Sequence, residues 1–223
     1  MDHMLRQDWF RYAAVSTYAC VCSLSLGSLL LRIDGLSAVS VVVAALCVGY
    51  AIADLVSGII HSLADHFGTK DTPIVGALFI QPFRDHHHDP QAITKESFVA
   101  LCVPAMFTAT PPMVLGLVLN LLWVGSPATL WIPTLLWVVP MGGVLACITH
   151  RLANEADRSP LVQKLQNMGL ILTSDDHDAH HRGGHYTRFC ILNGWMNPVL
   201  DYCIKLGTDA RRPAPVKARS TLV

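Results

Sequence analysis

The stretch Leu36–Gly68, LSAVSVVVAALCVGYAIADLVSGIIHSLADHFG, decides how the chain is built. From Leu36 to Ile60 it is apolar apart from small hydroxyl residues, Tyr50 and one acid, Asp54. About 20 such residues are enough to cross the hydrocarbon core of a bilayer. His61 and Asp65 then follow, and on a helix continuing past the span, Asp54, His61 and Asp65 project from nearly one face. An acid inside a span is costly unless paired, so Asp54 marks a functional position by default. We expect it behind a metal site, accepting a hydrogen bond from a ligating imidazole.

Working outward, three more apolar stretches give four expected spans, roughly at 12–31, 36–60, 98–123 and 128–149. The third contains Pro111-Pro112, which should kink or break it into a bent or re-entrant segment. Composition agrees with lipid as part of the solvent, since 52% of the 223 residues are hydrophobic and 14% charged, against about 25% charged in soluble domains. The predicted fold is therefore a single all-α integral-membrane domain over 1–223 with about four transmembrane helices. The 160–172 stretch reads as amphipathic and interfacial, and 211–223 as a flexible basic tail. No removable signal peptide is read at the N-terminus, so the first apolar segment should remain as an anchor.

Sixteen basic residues balance sixteen acidic ones, which leaves no global field for a nucleic-acid partner. Seven scattered cysteines without CxxC spacing read as reduced, buried small hydrophobes. Of the Lys and Arg residues, only Arg32 falls in a short loop assigned outside; the other fifteen lie in the N-terminal segment, the 61–97 loop or after the fourth span. Positively charged loops stay cytoplasmic, so both termini and the histidine-bearing face are expected there.

Ten of the eleven histidines form four groups: His61 with His66; His86, His87 and His88; His150; and His177, His180 and His181 with His185. His61 with Asp65, His150 with Asn154, and the HxxHH run His177–His181 each place two donors on one helical face. Singly, a histidine at a helix end or in a polar loop is unremarkable. Four groups on one membrane face point instead to metal. Imidazole suits iron, copper and zinc, and carboxylate broadens the set toward iron and manganese. About eight donors exceed the four of a tetrahedral zinc site, so two ions are the economical reading.

Ala53-Asp54, Ser57-Gly58, His61, Asp65 and Gly68 resemble the ADxxSGxxHxxxDxxG signature of the Kua, or plasmanylethanolamine desaturase, family of lipid desaturases. The family has CarF-like and plastid phosphatidylglycerol trans-desaturase-like branches. Phe83-Arg84-Asp85-His86-His87, Asp89-Pro90 and Ile93-Thr94 match it too, as do Leu165–Gly169, His177, His180-His181, Phe189-Cys190, Gly194-Trp195 and Asn197. The matches run in order over 53–201. The resemblance implies metal ligation by His61, Asp65, His86, His87, His150, His177, His180 and His181. Where the family has a further histidine, this chain has Asn154, whose amide oxygen can ligate weakly or hold a metal-bound water. His66, His88 and His185 fall where relatives vary.

It further implies two irons, dioxygen as co-substrate and a lipid chain entering from the bilayer and losing two hydrogens. The electrons come from an external donor, a cytochrome b5-like protein or ferredoxin, because neither GxGxxG nor CxxCH occurs. The competing readings are a di-iron hydroxylase or oxidase of a hydrophobic substrate and a non-enzymatic haem- or metal-binding membrane protein. A zinc protease is disfavoured because HExxH is absent.

Overall fold

The computed structural model describes residues 8–209, and among them there is no strand. Four helices are long and apolar enough to cross a membrane. They are α1 (Asp8–Leu30), α2 (Gly35–His66), α5 (Phe98–Leu122) and α6 (Trp131–Asn154), the last entered through a short 3-10 turn at Pro127–Leu130. Shorter helices carry the polar segments: α3 (Gln81–His88) after a π-helical turn at Gly76–Ile80, α4 (Ala92–Lys95), α7 (Pro160–Asn167), α8 (Ser174–Arg182) and α9 (Asn197–Asp209). The basic segment 211–223 lies outside the described residues.

α6 is the hub, packed against both α2 and α5, while α1 lies against α5. Small residues make the α2–α6 approach close: a Cβ added at Gly142 would stand 2.4 Å from Ala53 Cβ. In lipid, such close van der Waals packing substitutes for a hydrophobic driving force between helices. At the end remote from the histidines, Arg32 locks the bundle. Its Nη1 donates to Asn120 O at 3.0 Å and Oδ1 at 2.7 Å, and its Nη2 to Thr129 Oγ1 at 2.6 Å.

One expectation is corrected in part. α5 runs as one helix through Pro104, Pro111 and Pro112 rather than breaking. The Thr108 hydroxyl lies within reach of the Pro104 and Ala105 carbonyls, and Thr110 donates to Met106 O, so both hydroxyls are satisfied within the helix's own backbone. Within the 160–172 stretch a helix runs over Pro160–Asn167. Beyond it Gly169 turns left-handed (φ 66°), and Leu172 is buried, its N–H donating to Leu192 O at 2.9 Å.

Candidate metal centre

α2 continues past its apolar stretch to His66, so His61 and Asp65 share its inner face at the end of the bundle. α3 presents His86 and His87, the end of α6 presents His150, and α8 presents His177, His180 and His181. The Thr173 hydroxyl caps α8, accepting from Asp176 N at 3.1 Å, which fixes where the HxxHH run begins to turn.

These side chains meet as two adjacent quartets. In the first, Asp65 Oδ2 stands 3.4 Å from His61 Nε2 and 3.6 Å from the Nε2 atoms of His87 and His180. His87 Nε2 and His180 Nε2 are 3.2 Å apart. In the second, His86 Nε2 lies 3.0 Å from His177 Nε2 and 3.1 Å from those of His150 and His181, and His181 Nε2 is 3.0 Å from His177 Nε2. Donors about 2.1 Å from a shared ion stand about 3.0 Å apart at right angles and about 3.4 Å apart at tetrahedral angles. The observed separations fit that spacing.

Proton placement makes the same demand for a cation. His61 Nδ1 faces Phe189 O at 3.0 Å, and His180 Nδ1 faces Thr187 O at 2.7 Å. Each carbonyl can only accept, so the neutral ring carries its proton on Nδ1 and turns a bare Nε2 lone pair toward Asp65. Lone pairs and a carboxylate then share a buried space, and His61 Nε2 and both Asp65 oxygens have no hydrogen-bond partner. Such orphaned buried donors are costly unless an ion satisfies them.

Burial also keeps the imidazoles in the neutral form that binds metal. Desolvation, then the neighbouring histidines, push His86 and His87 down to about 3. Desolvation lowers His180 to about 4 against the opposing pull of the Thr187 carbonyl. His177 and His181 are lowered by the same burial.

The remaining candidates stand apart. Asn154 is buried, and its Nδ2 donates to His150 O at 2.8 Å, one turn back along its own helix. Asp54 does not meet an imidazole. Its Oδ1 accepts from the N–H groups of Leu192, Asn193 and Gly194 at 3.2, 2.9 and 3.1 Å, and its Oδ2 from Met196 N at 2.9 Å. This buried acid therefore anchors the loop whose Phe189 carbonyl orients His61. His66 is exposed, its Nδ1 on Ser62 O, and His88 is exposed. His185, in a left-handed turn (φ 63°), stacks on His87 with centroids 3.8 Å apart.

For several contributors residue order gives no hint of the role they play. The Phe189 and Thr187 carbonyls are anonymous backbone. Phe83 stacks on His61 with centroids 4.5 Å apart, an aromatic whose partner only the fold supplies. Thr149 Oγ1 donates to Ile191 O at 2.6 Å, and Ser57 Oγ accepts from Ile191 N at 3.1 Å, which holds the same loop between α2 and α6. A cavity of about 450 Å³ borders the site, and its walls include His86 and His150 but no member of the first quartet.

Fold and site together define a helical protein with four membrane-length helices and a buried histidine centre able to hold two metal ions. Residues 50–206 match the lipid desaturase domain, and the chain belongs to that family. It is 31% identical over 156 residues to plasmanylethanolamine desaturase of Myxococcus xanthus, covering 70% of this chain and 54% of that one. Over 162 residues it is 34% identical to plasmanylethanolamine desaturase 1 of Mus musculus, covering 69% and 58%. With the chloroplastic fatty acid desaturase 4 of Arabidopsis thaliana it shares 32% over 157 residues, covering 69% and 46%. The chain thus spans about half the length of these curated relatives. No solved structure matches it.

Proposed function

We propose that this chain is a membrane-bound, dioxygen-dependent di-iron desaturase that introduces a double bond into an acyl or ether-linked lipid chain. One observation carries the reading: donors from four segments distant in sequence converge as two adjacent quartets, with buried atoms that lack any other partner. The overall change removes one hydrogen from each of two adjacent saturated carbons. With dioxygen, two electrons and two protons it leaves an alkene and two waters. Bound iron supplies the redox change this requires, which zinc does not.

The chain's own residues do the rest. His61, Asp65, His87 and His180 would hold one ion, and His86, His150, His177 and His181 the other. The Phe189 and Thr187 carbonyls keep the Nδ1 protons of His61 and His180, so those rings stay fixed as ligands. Phe83 and Phe189 flank His61 and exclude water from its side of the centre. We assign the electrons to an external cytochrome b5-like protein or ferredoxin, and the histidine-bearing face to the cytoplasm.

Metal analysis of the purified protein, together with mass spectrometry of lipids from cells with and without it, tests this reading. Close to two irons per chain and a lipid lighter by two hydrogens are expected, in keeping with the two quartets. His180→Ala and His181→Ala should each abolish the alkene while membrane insertion persists, since α8 lies outside the long apolar helices. A hydroxylated product, or a zinc protein that consumes no dioxygen after iron loading, would overturn it.

A further inference from the structure

We propose that the cavity beside the second quartet seats the hydrocarbon chain of a membrane lipid, and that Leu101 and Ala105 set the chain length it accepts; this rests on the desaturase reading above. The volume, about 450 Å³, suits a ligand site, for which roughly 300–1,000 Å³ is usual. Its position suits a lipid. One wall is built from Ala100, Leu101, Pro104 and Ala105 in the first turns of α5, facing Cys147 near the end of α6. Both helices are of membrane-crossing length, so this wall continues into the bilayer's apolar layer. The opposite side, from the segment preceding α5, contributes Gln81, Asp85 and Glu96, all exposed. The same segment also brings Ala77, Phe79, Pro82, Phe83, Ala92 and Ile93, so the cavity is mostly apolar, as a hydrocarbon chain requires, and its carboxylates lie only on the side of the connecting segment.

His86 and His150 place the reacting end of the site. They are the only members of either quartet in the cavity walls, so a seated chain lies against residues that would hold the second ion and not against those that would hold the first. Phe83, also on the wall, stacks near His150 with centroids 6.0 Å apart and fixes that edge. Depth is then the remaining variable. Ala105 is small and half-buried where the apolar wall enters the bundle, and Leu101 lies one turn nearer the polar side. A larger side chain at Ala105 shortens the space, and a smaller one at Leu101 enlarges it.

The experiment uses full-length protein, iron-loaded and metal-free, in phospholipid bilayers containing one phospholipid with a diazirine in its acyl chain. Adducts formed on irradiation are mapped, and unlabelled phospholipids of graded chain length compete for them. Adducts are expected in the Ala100–Ala105 stretch and at Cys147. Ala105→Phe should reduce them roughly tenfold and move the best competitor to shorter chains, while Leu101→Ala moves it to longer ones. Leu115→Phe, on the exposed side of the same helix, should change neither. Should Ala105→Phe not fold, the shift in Leu101→Ala decides alone.

Adducts confined to outward-facing positions, or an unaltered chain-length order in the folded variants, overturn the inference. Labelling by a free fatty acid but by no phospholipid overturns the membrane-lipid source. Mapping needs no turnover, so a protein that holds no iron and makes no alkene can still show these adducts; that result defeats the desaturase reading alone. Alkene formation with an unshifted chain-length order defeats only the cavity assignment.

Discussion

Asp54 shows how a single buried residue is retained without touching a metal ligand. It is fully buried, in a helix of membrane-crossing length, and accepts four backbone N–H groups. Those amides belong to the loop that carries the Phe189 carbonyl, so the acid holds His61 at one remove. Asp54→Ala leaves all four amides without their acceptor, those of Leu192 and Asn193 buried, and we expect a loss of about 3–5 kcal/mol. Asp54→Asn keeps one acceptor oxygen and should fall between. Thermal unfolding and retained iron are the measurements. An Asp54→Ala protein that melts with the parent and holds its metal would remove the residue from this role. Asn154 gives the opposite case. Its i+4 spacing from His150 suggests a ligand; its Nδ2 donates to the His150 carbonyl, and each quartet already has four other donors.

At the scale of elements, the helical repeat explains how the donors are shared out. Residues four apart on a helix share a face, and consecutive residues point about 100° apart. Hence His61 with Asp65, and His177 with His181, join the same quartet. The neighbours His86 and His87 separate into different quartets, as do His180 and His181. The connections between helices carry the charge. Arg32 sits in the α1–α2 turn, whereas Lys70, Arg84 and Lys95 lie between α2 and α5, on the side of the histidines. By the positive-inside tendency we expect the α2–α5 connection on the cytoplasmic side. In a cysteine-free background, Leu36→Cys and Ser126→Cys should react with impermeant reagent in intact cells, and Lys95→Cys only after lysis. Labelling of Lys95→Cys from outside would reverse the orientation.

For the whole molecule, the imidazoles of the centre tie stability to pH. Burial lowers His86 and His87 to about 3 and His180 to about 4 from 6.5, and lowers His177 and His181 in the same direction. Between those values and 6.5 the unfolded chain binds more protons than the folded one, so stability rises with pH across that window. The contribution is complete above about pH 6.5 and is lost as pH falls toward 4 and then 3. The metal-free protein should therefore melt progressively lower as pH is taken from about 7.5 to about 4.5, while the folded protein should keep its iron until pH approaches about 4, where the rings begin to protonate and can no longer ligate. A melting temperature flat over that interval would contradict the buried, neutral state of these rings.

Much of this was legible from residue order. Apolar runs long enough for a bilayer located the four long helices, since length and hydrophobicity are local properties. The i, i+4 spacings singled out His61 with Asp65 and the HxxHH run, because helical periodicity is local as well. Local rules left α5 kinked or broken at Pro111-Pro112, and the bundle holds an unbroken helix. Other features were settled only by the fold. Sequence does not say that His86 and His87 serve different quartets, that Asp54 answers to amides some 140 residues away, or that the Phe189 and Thr187 carbonyls fix two rings. These depend on contacts between segments distant along the chain, made partly by backbone groups that every residue carries. Residue types and spacing therefore determined which donors the chain has; packing of α2, α6 and the 187–196 loop decided how those donors are grouped and what holds them.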